Sequence, residues 1–220
     1  MYILAFDTTA SACSVALYKD DVLIADYLQV MDYGQSEVLL PAIQELLKKA
    51  TINFSDIEVL FVCVGPGSFT GVRSSISAAR TLNLASPELT LGGVSVFDAY
   101  IQELSPDEVS ECNAVIVETK REDFYVQLYD ADLQKTTPPQ ALTYDSIIAL
   151  LRNKKVSLIG DGVERFLSRP SGLSIHCIKM DAYADINNII KAGMKQYQNK
   201  LLDYPKPLYL RAPDVSAPKA

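Results

Sequence analysis

Tyr2-Ile-Leu-Ala-Phe-Asp-Thr-Thr-Ala-Ser-Ala-Cys-Ser-Val-Ala-Leu-Tyr18 opens the chain with an apolar run, a polar turn at Thr8-Thr9-Ala10-Ser11 and a second apolar run. A third run, Val22 to Val30, follows Lys19-Asp20-Asp21, so the first thirty residues read as a meander of three short strands. The period then changes. From Gln35 to Ala50 apolar residues recur at three and four (Val38, Leu39, Ala42, Ile43, Leu46, Leu47), the mark of an amphipathic helix, with Ser36 as its expected cap. Pro41 fits this helix only in its first turn or at a kink. Glu58 to Val64 is a continuous β-branched and aromatic run, which predicts a strand covered on both faces. Gly65-Pro-Gly-Ser-Phe-Thr-Gly-Val-Arg73 turns into a second helix through Ala85, Leu89 to Val94 is a further strand, and Ser95 caps a helix through Leu104. Residues 1–104 therefore spell β-β-β-α-β-α-β-α, one lobe of a mixed-sheet α/β fold.

Ser105-Pro-Asp-Glu marks the boundary, and residues 105–220 are expected to form a smaller α/β lobe. Strands are predicted near 112–118, 124–130, 156–159 and 174–178, and helices near 144–152 and 185–199, the last free to return to the first lobe. Thr136-Thr-Pro-Pro139 reads as an extended loop. The proline-rich tail from Tyr204 is expected to lie extended on the surface.

The chain has 220 residues, 49% of them hydrophobic and 21% charged, and no low-complexity tract, which excludes disordered and fibrous classes. A net charge of -7 has the wrong sign for gripping a phosphate backbone unaided, so direct, autonomous binding of RNA or DNA is not expected. Cys13, Cys63, Cys112 and Cys177 form no CxxC and read as small hydrophobes. With no basic leader and no membrane-length apolar stretch, a cytoplasmic protein without membrane contact is expected. His176 is the single histidine, which removes any mechanism that needs two imidazoles, and its neighbour Cys177 points to the opposite face of a strand. Peptidase chemistry is disfavoured on the same ground, because no serine elbow accompanies that one histidine.

Four segments carry what chemistry there is. Asp7-Thr8-Thr9 is either a polar hairpin turn or a residual phosphate loop, although it lacks the glycine that a tight phosphate wrap needs. The glycines of Gly65–Gly71 either expose amides to an anion or permit close backbone approach, and with no P-loop lysine the second reading is favoured. Phe69 at its tip is either tucked under the loop or offered to a partner. Gly160-Asp161-Gly162 lies where doubly wound folds place ligands, but such turns are common. Glu118, Glu122 and Asp123, interleaved with Lys120 and Arg121, read as a solvated charged turn.

Ile3–Leu17, the loop Gly65–Arg73, Leu91-Gly-Gly-Val-Ser-Val96 and Tyr209-Leu-Arg211 together resemble the TsaB (YeaZ) family of tRNA threonylcarbamoyladenosine biosynthesis proteins. The resemblance implies a two-lobed actin-like ATPase (ribonuclease H-like) fold and a pseudo-enzyme without a cofactor of its own. It also implies a partner, the TsaD-type paralogue whose two histidines bind metal, and a TsaE-type ATPase, with a nucleotide at most at the interface of the complex. Val96 and Tyr100 fall at the positions of that histidine pair, and neither binds metal as imidazole does. Where the family often shows Asp-Ala-Arg, this chain has Glu118-Thr-Lys-Arg121.

The partner is expected on the two helices of the first lobe, with Val38, Leu39, Ile43 and Leu46 on one and Phe69, Arg73, Ser74 and Ala78 on the other. The same face would serve a homodimer when the partner is absent. The rival expectation is an active ATPase or kinase of the same fold, with Asp7 facing a metal and Gly160-Asp161-Gly162 beside the nucleotide.

Overall fold

The first apolar run becomes β1 (Tyr2–Asp7), buried almost throughout and central in its sheet. β2 (Ala12–Lys19) and β3 (Val22–Val30) complete an antiparallel meander on one side of it. α1 (Gln35–Ala50) crosses to β4 (Ile57–Cys63), and α2 (Phe69–Ala85) crosses to β5 (Thr90–Val94), both strands lying parallel to β1. The computed structural model describes residues 1–211, and the first sheet runs β3-β2-β1-β4-β5.

α3 (Val96–Tyr100) and a 3-10 turn at Ile101–Glu103 lead into the second lobe. There β6 (Cys112–Glu118), β7 (Asp123–Tyr129) and β8 (Gln140–Thr143) form another antiparallel meander. α4 (Tyr144–Leu151), β9 (Lys155–Ile159), α5 (Val163–Leu167), β10 (Ser174–Lys179) and α6 (Ile186–Gln198) follow. Its order is β8-β7-β6-β9-β10, with β9 and β10 parallel to β6. The two lobes thus repeat one ribonuclease H-like topology, the doubled arrangement of the actin-like ATPase fold.

The helices are not shared out lobe by lobe. α6 follows the second sheet in the chain but packs over β1, β4 and β5 and against α3. Ile186, Ile189 and Ile190 join one core with Ile3, Phe61 and Val94 of the first sheet and Val115, Tyr129 and Ile159 of the second. A continuous apolar layer therefore lies between the lobes. Separate cores sit outside the first sheet, under Leu39, Ile43 and Leu46 of α1, and outside the second, around Phe124, Ile147 and Phe166.

Several boundaries differ from expectation. Gly34 rather than Ser36 stands at the N-cap of α1, in the left-handed conformation, whereas α2 starts at Phe69 with the Ser68 hydroxyl capping it by accepting from Gly71 N. Pro41 lies on the exposed side of α1, beyond its first turn. The helix expected through Leu104 ends at Tyr100 and tightens into the 3-10 turn. β8 follows the Thr136–Pro139 segment and was not expected, since four residues behind two prolines carry too short an alternation to read.

The tail from Tyr204 lies extended on the surface as expected, and over its described residues it is also bound down. Leu208 N donates to Val64 O at 2.9 Å, Gly93 N donates to Asp203 O at 2.9 Å, and the Arg80 guanidinium donates to Pro205 O at 2.6 Å. Gly92 and Gly93 make the bed: a Cβ there would lie 2.2 Å from Leu202 and 2.9 Å from Pro205.

Glu103 sits where both crossings between lobes meet. Its two carboxyl oxygens are buried without a hydrogen-bond partner among the described residues. Burial pushes its pKa up to about 8, with Asp181 and Asp185 adding to the rise and Lys179 opposing it. The folded protein thus holds a proton that the unfolded chain releases in the ordinary glutamate range, so stability declines as pH rises from that range through about 8. Glu103→Gln is expected to flatten this decline and to raise the melting temperature above pH 8, read by thermal melts across the range. A variant that melts below the parent at that pH, with the slope unchanged, contradicts the assignment.

Candidate functional site

Between the lobes lies a cleft of about 1020 Å³. One wall is the β1–β2 turn with the start of α2, and the other is the β6–β7 turn with Asp161. Val96 and Tyr100 line it from α3, and Tyr209 to Arg211 run along its rim. The structure therefore brings the Thr9 turn, Phe69 and Asp161 to one place, as expected for the ligand-facing side of such a fold.

Both walls are closed by the chain itself. Buried Asp7 accepts from Thr9 N at 2.7 Å, and burial pushes its carboxyl pKa up. Thr8 donates from its hydroxyl to Gly71 O at 2.8 Å, and Ser68 N donates to Thr9 O at 2.7 Å. A Cβ at Gly67 would stand 2.4 Å from Thr9 O, and one at Gly71 2.0 Å from Thr8 O. These glycines let α2 press onto the β1–β2 turn, which is the close-approach reading of the loop. On the other wall Glu118 N donates to Asp161 Oδ1 at 2.9 Å, Lys120 N to the Glu118 carboxylate, and Arg121 N to Thr119 Oγ1. Asp161 thus positions the turn, with its pKa pushed up to about 7 by burial. The amides that would cradle phosphate in an active hairpin pair are taken by the chain's own oxygens, several of them carboxylates.

The tip of the turn, Lys120 to Glu122, is exposed as expected, but its ends at Glu118 and Asp123 are not. Arg165 forks onto the Glu118 carboxylate at 2.6 and 2.8 Å and lies over the Phe124 ring, while buried Asp123 pairs with Arg211 of the tail. Arg165 and Arg211 come from distant segments, so nothing local in the sequence signals these pairs. His176 lies on exposed β10, its Nε2 2.9 Å from Asp107 O, which is a structural contact.

On the helical face the expectation divides. Leu39, Ile43 and Leu46 are each no more than 3% exposed and belong to the core under the first sheet, so they cannot meet a partner; this part is corrected. Helical rotation turns their neighbours outward instead: Leu40 is 48% exposed, and Val38, Ser74 and Ala78 are half-buried. Leu84, 82% exposed near the end of α2, escaped the sequence reading because its helical period places it off the core stripe. Phe69 is not tucked under the loop: it is exposed, and braced by its neighbours. Its ring stacks on Tyr209 at 5.6 Å under the Arg73 guanidinium, and Arg73 Nε donates to Tyr209 OH at 2.8 Å.

Residues 33–214 match the family model described as TsaD, tRNA N6-adenosine threonylcarbamoyltransferase. The chain belongs to this family, on its TsaB (YeaZ) branch. It is 41% identical over 102 residues to the tRNA threonylcarbamoyladenosine biosynthesis protein TsaB of Escherichia coli, covering 46% of this chain and 43% of that one. It is 27% identical over 157 residues to the protein of the same name from Bacillus subtilis, covering 70% and 67%. The matched stretches thus span roughly half to two thirds of these relatives' own lengths. YeaZ from Pseudomonas aeruginosa superposes with a TM-score of 0.81 over 95% of this chain and 99% of that one at 20% identity, which shows the shared fold.

A metal does not fit Val96 and Tyr100, the two positions at which the resemblance implies a histidine pair in the paralogue. Val96 and Tyr100 stand one helical turn apart in α3, both buried. Valine offers no donor. The Tyr100 phenol is pushed far up by burial and donates to Asp181 O at 3.3 Å, so it stays protonated. Among the described residues no group of three His, Cys, Asp or Glu side chains could hold a metal ion, and no helix is long and apolar enough to cross a membrane.

Proposed function

We propose that this chain is a non-catalytic scaffold subunit in tRNA threonylcarbamoyladenosine biosynthesis, binding a TsaD-type paralogue through α1 and α2. The observation that carries the reading is the closure of both cleft turns by Asp7, Asp161 and Glu118, beside a valine and a neutral tyrosine at the metal positions. A site built this way orients neither phosphate nor metal, so the chemistry falls to the histidine-bearing subunit. A TsaE-type ATPase would join the assembly. Any nucleotide would sit at the junction of subunits rather than in this cleft, and tRNA would be held mainly by the other subunits, in keeping with the acidic charge.

The surface left for the paralogue is Val38 and Leu40 of α1 with Ser74, Ala78 and Leu84 of α2, small and apolar side chains that permit close helix packing. A homodimer would use the same surface when the paralogue is absent. Co-purification with the TsaD-type paralogue is expected to fail for Leu40→Arg and for Ser74→Arg while the circular dichroism spectrum is unchanged. Retained binding in both variants refutes the helical face. Modification of tRNA by the purified chain alone, supplied with threonylcarbamoyl-adenylate, refutes the scaffold role. The rival ATPase predicts tight magnesium-ATP binding with turnover lost in Asp7→Asn, which calorimetry and phosphate release decide.

A further inference from the structure

Each of the two sheets ends in two edge strands, and an exposed edge is a row of unpaired backbone donors and acceptors that folded proteins usually guard. Three of the four are guarded here. The tail lies along β5 through the Gly93 N to Asp203 O bond. β8 has four residues and follows Pro138-Pro139. β10 meets segment 105–108 through His176 to Asp107 O and a Lys179–Glu108 ion pair at 2.8 Å. Among the described residues no other segment lies along the outer edge of β3, whose one irregularity is a bulge at Ile24, where Leu17 pairs with Ala25 but Tyr18 with Leu23.

β3 is nine residues long, contains no Pro, Gly, Lys or Arg, and carries one charge, Asp26. Val22 and Val30 at its ends are 63% and 66% exposed, and Ile24 and Leu28 are also exposed. Its register with β2 pairs Ala16 with Asp26 and Ser14 with Leu28, which places Asp26 and Leu28 on the α6 side of the sheet, since Ala16 belongs to the core beneath α6. That helix packs as far out as β2 and leaves them uncovered. The acids around the stripe, Asp21, Asp26 and Asp32, are exposed, and among the described residues no ion pair reaches them.

We propose that β3 is a docking edge for an extended segment of a partner protein, added as a sixth strand, with apolar residues over Leu28 and Val30 and a lysine or arginine opposite Asp26. Charge selects this occupant over a second copy of the chain. Full-length antiparallel pairing of two β3 strands sets Asp26 against its own copy, and like charges directly opposed are destabilising. The proposal is independent of the helical face, which lies on other elements.

The test uses the full chain and a fluorescein-labelled peptide of nine residues, matching β3, with Lys at its centre, Val two and four positions to either side and Thr between. Fluorescence anisotropy is expected to show saturable binding, at least about tenfold weaker when the central Lys is Glu. Asp26→Lys is expected to reverse that preference, and Leu28→Lys to abolish binding of both peptides, with circular dichroism confirming that each variant folds. Absence of binding by the Lys peptide, or a preference that Asp26→Lys leaves unchanged, overturns the proposal. So does a dimer of the parent chain by light scattering that Leu28→Lys dissolves, because the occupant is then a second copy.

Discussion

Gly71→Ala is expected to destabilise the protein by about 3 kcal/mol or more, the upper end of what overpacking costs. The sign is the informative part. Gly71 lies in the first turn of α2, and in an ordinary helix interior Gly→Ala stabilises by about 1 kcal/mol, because alanine restricts the unfolded backbone and suits the helix. Here the new Cβ would stand 2.0 Å from the Thr8 carbonyl oxygen, a backbone atom held by β1 that cannot rotate aside. Relief would require α2 to lift from the β1–β2 turn, which breaks the bonds from Thr8 to Gly71 O and from Ser68 N to Thr9 O. Urea unfolding with an unchanged slope and a lowered midpoint is the expected readout. A stabilised variant would show that the loop glycines do not serve close approach.

The second large effect separates core from surface on one helix. Leu46→Ala is expected to cost about 2–5 kcal/mol, the range for a leucine emptied from a packed core, and Leu46→Arg to leave no folded protein to test. Leu40→Arg, six residues earlier on the outward side of α1, is expected to change stability by no more than about 0.5 kcal/mol. Thermal melts of the two variants decide between the assignments. Equal destabilisation would mean that Leu40 is packed, and the surface offered to the paralogue would shrink to α2.

The meander, the crossover helices and the order of the first lobe were legible because their periods of two and of three to four run for many residues, as in α1. β8, four residues long, was not, and of α3 the Ser95 cap was legible but not the end at Tyr100. Leu39 and Leu40 adjoin in the sequence and face opposite environments, so counting apolar residues on α1 placed core side chains in the interface. The cleft could be located from its Gly-containing turns, but not its closure. That depends on Asp161 reaching Glu118 N across 43 residues, and on Arg211 reaching Asp123 across 88. Side chains of this kind are common in open turns, and only the tertiary pairing distinguishes a closed turn from a binding one.

The placement of α6 has a consequence for how the protein is made. The first sheet is complete in sequence by Val94, yet one of its faces is covered by Ile186, Ile189 and Ile190. A nascent chain emerging in order must therefore carry a finished five-stranded sheet with that face bare for about ninety further residues of synthesis. A chain ended before Ile186 is expected to be captured by chaperones or to aggregate rather than to yield an isolated amino-terminal lobe. Translation must reach the last helix before the first sheet is sealed.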